Sequence, residues 1–232
     1  QLYEAIRKLC IIDIFVENDD DPQLIFESLN STGLKLTEAD MIRNFVLMGL
    51  EAKTQEEYYT RYWLDIEKNT NKTKTANFFR DYLTVKQGKI PAIRDVYFVF
   101  KKYAEDQDIL PILVELLKYS KIYNKILTSH TLCKDIDITL KRLNTLDMTV
   151  TYPFLLALFD YAHEVELPEE DLINTLSCLE TYIVRRLICG IPTNALNTIF
   201  CTLHKDVLRM KRNTDSYSSV VIYILENKTS FS

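Results

Sequence analysis

Apolar residues recur three and four apart along most of this chain, the spacing of one helix face rather than of a strand. That period predicts helices over 37–50, 54–68, 75–88, 92–106, 111–128, 133–146, 150–165, 168–189, 192–211 and 216–226. Local punctuation agrees. Thr37 with Asp40 makes a capping-box-like start, the acid standing where Glu or Gln is usual, and Thr54 with Glu57 offers another. Pro111 and Pro153 suit first turns, where the missing N–H has no intrahelical partner to lose. Segments 69–74 and 212–215, rich in Asn, Thr and charge, read as loops. No repeat of fixed period argues for a solenoid.

Before residue 37 the pattern changes. Ile11-Ile-Asp-Ile-Phe-Val16 is the one convincing strand candidate. Asp21 can cap a following helix with Pro22 at its first position, and Asn30 to Gly33 ends it. A strand, a helix and a Gly turn carrying Asn, Ser and Thr before the next helix can hold an anion. The expected fold is therefore mainly α: a multi-helix bundle over 51–232, preceded over 1–50 by the short strand–helix–turn tail of an α/β domain.

Composition narrows the class. With 47% hydrophobic and 26% charged residues, the chain can bury a sizeable core, and four glycines and six prolines favour long helices over a turn-rich β fold. No apolar run is long enough to span a membrane, so no membrane role is expected. The cysteines (Cys10, Cys133, Cys178, Cys189, Cys201) are spread without a C-x-x-C, which fits small core residues in a reducing cytoplasm better than zinc or redox chemistry. A net charge of −5 argues against tight nucleic-acid binding by the whole surface, though a local basic stripe remains compatible with it.

Phe26, Glu27, Leu29, Asn30, Gly33 and Leu36 resemble the F-E-x-L-N-x-x-G-x-x-L signature of the GmrSD-type modification-dependent restriction endonucleases. Tyr182-Ile-Val-Arg-Arg-Leu-Ile-Cys-Gly190, with Thr193, Leu196 and Asn197, is similar to the helical middle of the same family. The resemblance implies a ParB/sulfiredoxin-like nucleotide-binding domain ending near residue 50, a helical linker domain, and a C-terminal HNH nuclease elsewhere. It implies a bacterial, cytoplasmic anti-phage enzyme that cleaves modified DNA, using a nucleoside triphosphate and magnesium, with self-association into a homo-oligomer compatible with it. The family's Asp-Gly-Gln-Gln-Arg motif and any HNH cluster are missing from this sequence. The chain starts at Gln1 and stops at Ser232, so it is expected to be an internal fragment, inactive by itself and without a cofactor of its own. The competing class is a noncatalytic helical protein-interaction domain.

Two readings of Asn30, Ser31, Thr32 and Gly33 stand side by side. Turn amides and short polar side chains suit a phosphate, and the resemblance implies that Asn30 borders nucleotide or metal. Asn and Gly also simply end helices in left-handed turns. Glu17-Asn-Asp-Asp-Asp21 fails as an EF-hand, because the positions that need Gly and Glu are Pro22 and Ser28. His130, His163 and His204 lack partners at metal-ligand spacing.

On the helical wheel, Leu172, Leu176, Leu179, Ile183 and Leu187 form an apolar stripe, with Arg186 at its edge and Arg185 pointing away. Arg186 is thus expected to be half-buried and paired, leaving Arg185 freer to meet a phosphate or another domain. Lys205, Arg209 and Arg212 line the face opposite Phe200, Leu203, Val207 and Met210. The plainer reading of that stripe is a solvated face; the functional one makes it, with Arg185, a DNA-phosphate track. Tyr59, Tyr62 and Trp63 share a face and read as core.

Overall fold

A computed structural model of the chain describes residues 2–8, 25, 28, 36–192 and 194–228. The strand over 11–16 and the Asn30–Gly33 turn lie outside these residues, and of the helix expected after Asp21 only Ile25 and Ser28 are described, both helical. The described chain is helical, with no strand among its residues. Its elements are α1 (Leu2–Ile6), α2 (Glu38–Leu47), α3 (Ala52–Tyr58, a π-helical turn Tyr59–Trp63, then Leu64–Asn69) and α4 (Thr75–Gln87). There follow α5 (Val96–Ala104), α6 (Ile109–Thr128), α7 (Lys134–Thr145), α8 (Tyr152–Glu164), α9 (Glu169–Ile188), α10 (Asn194–Met210) and α11 (Tyr217–Lys228).

The bundle is organised around α8. Tyr152, Pro153, Phe154, Leu155, Leu156, Ala157 and Leu158 are all buried, so its first two turns are enclosed on every side. A helix apolar all round must lie inside the protein. α8 packs on α4, α6 and α10, and α11 closes the far side by packing on α9 and α10. At the other end the core is aromatic. Trp63 stacks on Phe79 at 5.7 Å between ring centres, and Phe79 meets Phe100 edge-on at 5.5 Å. Phe78 lies edge-on to Tyr123 at 5.3 Å. Trp63 is fully buried, and its indole N–H donates to Glu67 Oε1 at 2.7 Å, which also accepts from Arg43 of α2 at 3.2 Å.

Helix starts are secured in two ways. Thr37 and Asp40 form the reciprocal capping box that their spacing predicts. At two other starts a carboxylate from a different helix does the capping. Buried Asp171, in the first turn of α9, accepts from the backbone N–H of Tyr217 at 2.7 Å and of Ser218 at 2.8 Å, at the start of α11. Glu38 of α2 accepts from Tyr97 N–H at 2.7 Å, at the start of α5.

Three local expectations need correction. Thr54 and Glu57 form no capping box, because Ala52 and Lys53 continue the helix back to Glu51, leaving Thr54 inside its first turn. Tyr62 and Trp63 do point inward, but within a π turn that helical periodicity does not signal. Leu187 and Met210, placed on apolar stripes, are both exposed; each stands in the last turn of its helix, past the packed length.

The cross-helix cap yields a stability prediction. Asp171→Ala should cost on the order of 2–3 kcal/mol, because two buried N–H groups lose a charged acceptor. Urea melts check this, and a loss near zero would mean that water replaces the carboxylate.

Candidate functional site

The cationic residues singled out in the sequence have separate tasks. Lys205 reaches the C-terminal end of α4, its ammonium 3.4 Å from the Lys86 carbonyl, where the helix dipole favours a cation. Gly88 ends that helix at φ +69°, and a Cβ there would approach Lys205 Nζ to 3.0 Å. Arg209 pairs with Asp206 at 3.1 Å. Arg212 is exposed in the loop after α10, its backbone N–H bonded to Asp215 at 2.9 Å. Arg185 is also exposed, but lines a groove of about 640 Å³ between α9 and α11 with Cys178, Tyr182 and Ile222. Asn30, Ser31, Thr32 and Gly33 lie outside the described residues.

Arg186 is more deeply placed than the wheel suggests, at 5% exposure. Its Nη2 donates to the Pro192 carbonyl at 2.9 Å and its Nη1 to the Tyr182 hydroxyl at 3.4 Å, while Nε is buried without a partner. The Arg186 carbonyl in turn accepts from Ile191 N–H at 2.9 Å, and Gly190 adopts φ 65°. This side chain therefore clamps the corner that launches α10.

The first turn of α10 carries Asn197 to the rim of a cavity of about 130 Å³. Thr149, just before α8, shares the exposed rim; Ile90, Val150 and Pro153 supply apolar walls. Arg80 and Asp81, adjacent on α4, complete it. Asp81 is only 2% exposed. Arg80 Nε and Nη2 both donate to Asp81 Oδ1 at 3.2 Å, whereas buried Oδ2 has no hydrogen-bond partner. Burial pushes the Asp81 carboxyl up to about 7 against a partial opposing pull from Arg80. A buried carboxyl with one oxygen unsatisfied is uncommon in a folded core. Sequence reasoning missed it. The available signal was an acid three residues after Phe78 and four before Val85, on the inward side of α4.

Several other polar groups in the core find partners. Tyr82 donates to Glu115 Oε2 at 2.5 Å, and Lys86 pairs with the same carboxylate. Tyr119 donates to Asp160 at 2.8 Å, and Lys118 reaches Asp160 at 2.5 Å. His204 meets the Tyr217 hydroxyl at 2.8 Å and lies against Tyr161; burial lowers it to about 4, so it is neutral at physiological pH. It is a satisfied core histidine. Among the described residues, no group of three His, Cys, Asp or Glu side chains could hold a metal, and no helix is long and apolar enough to cross a membrane.

No protein-family profile matches this chain, and neither a curated protein nor a solved structure matches it.

Two expected outcomes follow from these placements. An acid whose carboxyl is raised from 3.8 to about 7 on folding binds its proton more tightly when folded, so its contribution to stability is lost as pH rises through that window. The loss is ~1 kcal/mol per pH unit, and Asp81→Asn, which cannot ionise, should flatten the slope and melt higher than the parent above the window. Denaturant melts across pH check it; an unchanged slope would contradict the burial of this acid. Arg186→Ala should cost on the order of 1–3 kcal/mol by stranding the Pro192 carbonyl, while exposed Arg185→Ala should change little. Thermal melts in the reverse order would contradict the clamp.

Proposed function

We propose that this chain is the helical middle of a GmrSD-like restriction endonuclease, joined over residues 1–50 to the end of its ParB/sulfiredoxin-like domain. The single observation that carries the reading is the Phe26-Glu27…Leu29-Asn30…Gly33…Leu36 spacing. An all-helical body after residue 37 is the architecture expected of such a middle domain. In this reading the complete protein is bacterial and cytoplasmic, and acts against phage by cleaving modified DNA with a C-terminal HNH domain. The helical body couples nucleotide binding to cleavage. Arg185, Lys205, Arg209 and Arg212, all exposed, are its proposed phosphate contacts.

The proposed nucleotide contacts are Asn30, Ser31, Thr32 and Gly33. In this reading the nucleoside triphosphate and magnesium are held by this turn together with the family's nucleotide-binding motif. A noncatalytic protein-interaction domain is the second reading. The observation favouring it is the exposed apolar end of α9, where Ile188 is 80% and Leu187 40% exposed.

The decisive experiment is nucleotide titration by calorimetry on the complete protein, with melts alongside. Asn30→Ala should weaken nucleotide binding several-fold and leave the melt unchanged. Gly33→Val should weaken binding and lower the melt, because a β-branched residue strains a positive-φ turn. Unchanged affinity in Asn30→Ala would reduce the turn to a helix terminator and favour the interaction-domain reading.

A further inference from the structure

Between Val220 and Leu225, α11 is apolar on every side, as the start of α8 is, yet one side lies open. Val220, Val221, Ile224 and Leu225 are buried, whereas Ile222 is 40% and Tyr223 57% exposed. Such a helix calls for cover on its outer face. Asp171 ties the start of α11 to the start of α9, so the two helices run side by side in the same direction. The groove of about 640 Å³ between them has Cys178 and Tyr182 on one wall and Ile222 on the other. Past Asn174 and Ser218 it continues into a second hollow of about 510 Å³ that reaches Glu170. Charge along this seam is polarised. The outward ridge of α9 carries Glu170, Asn174, Ser177, Thr181 and Arg185 at intervals of three and four, all exposed. Its first turn is acidic and its last turn basic. Among the described residues neither Glu170 nor Arg185 belongs to an ion pair.

A surface of this kind complements itself. Turned end for end about a two-fold axis, the ridge sets Glu170 of each copy opposite Arg185 of the other. The two residues stand about 22 Å apart along the helix at about 1.5 Å per residue, and the midpoint falls between Ser177 and Cys178. Ser177 and Thr181 are small enough for two helices to approach closely there. The start of each α9 then lies beside the end of the other, where the helix dipoles attract. We propose that the α9–α11 seam is a homodimer interface in which α9 of one copy lies antiparallel in the groove of the other, held by two Glu170–Arg185 pairs and covering Ile222 of both copies. The occupant is a second copy, because a segment of one charge sign satisfies only one end of the seam. The proposal rests on neither functional reading above. It takes Arg185 from the proposed phosphate contacts and leaves Lys205, Arg209 and Arg212 outside the seam.

The test is sedimentation equilibrium of the chain and its variants. The parent protein should show twice the chain mass of 27.2 kDa at micromolar concentration. Glu170→Arg and Arg185→Glu each set like charges together at both ends of the seam, and each should raise the dimer's Kd at least ~10-fold. Combining the two brings opposite charges together again and should restore the dimer. Ile222→Asp, at an exposed position, should dissociate it, with circular dichroism showing a folded monomer. Ser177→Cys places a thiol at the axis and should cross-link the two copies through a short bis-maleimide; Lys121→Cys, exposed on α6, should cross-link no more than the parent. A parent protein that stays monomeric, leaving the seam to a different protein, would overturn the proposal. So would a double charge reversal that stays dissociated, or a dimer indifferent to Ile222→Asp and to both single reversals.

Discussion

Everything else in this structure depends on the first two turns of α8 being enclosed on all sides. A helix with Phe154, Leu155, Leu156 and Leu158 in succession has no polar face to turn outward, so α4, α6 and α10 must surround it. That enclosure fixes the inner face of α4 and the start of α10, and so decides which side chains meet. Phe154 against Phe200, 6.3 Å between ring centres, ties the hub directly to α10. Asp81 is buried as a consequence: the face of α4 that carries Phe78 and Tyr82 inward carries Asp81 with it. Hydrophobic enclosure thus leaves a carboxylate oxygen in the core without a hydrogen-bond partner.

The polar contacts share a pattern. Carboxylates close this bundle by reaching across helices: Asp171 to the start of α11, Glu38 to the start of α5, Glu67 between Trp63 and Arg43, Glu115 between Tyr82 and Lys86. Each accepts more than one donor or seals a helix start, as a carboxylate must to repay its desolvation. Asp81 departs from the pattern. Its sequence neighbour supplies all its donors, and to one oxygen only.

The helices themselves were legible in the sequence because periodicity and capping report on local structure. Thr37 with Asp40, Pro153 in a first turn and the Leu172–Ile183 stripe all act within a turn or two of themselves. Arg186 was legible in outline, since its wheel position follows from helix geometry, but its partner is a carbonyl beyond the helix end. The trans caps and the Asp81 cavity were not legible. They join residues far apart in sequence, such as Arg80 with Asn197, and nothing in a local window says which helices become neighbours. The π turn at Tyr59–Trp63 was hidden for a related reason: packing of Trp63 against Phe79 decides it, and intrinsic preference does not.

The central claim is that folding buries Asp81 and leaves one of its oxygens unsatisfied beside a cavity. Titration of the side-chain carboxyl carbons by NMR measures this directly. The enclosure described here predicts that Asp81 titrates at about 7, far above its ordinary value of 3.8. A midpoint at or below that ordinary value would mean that the carboxylate is solvated or fully paired, and would contradict the account.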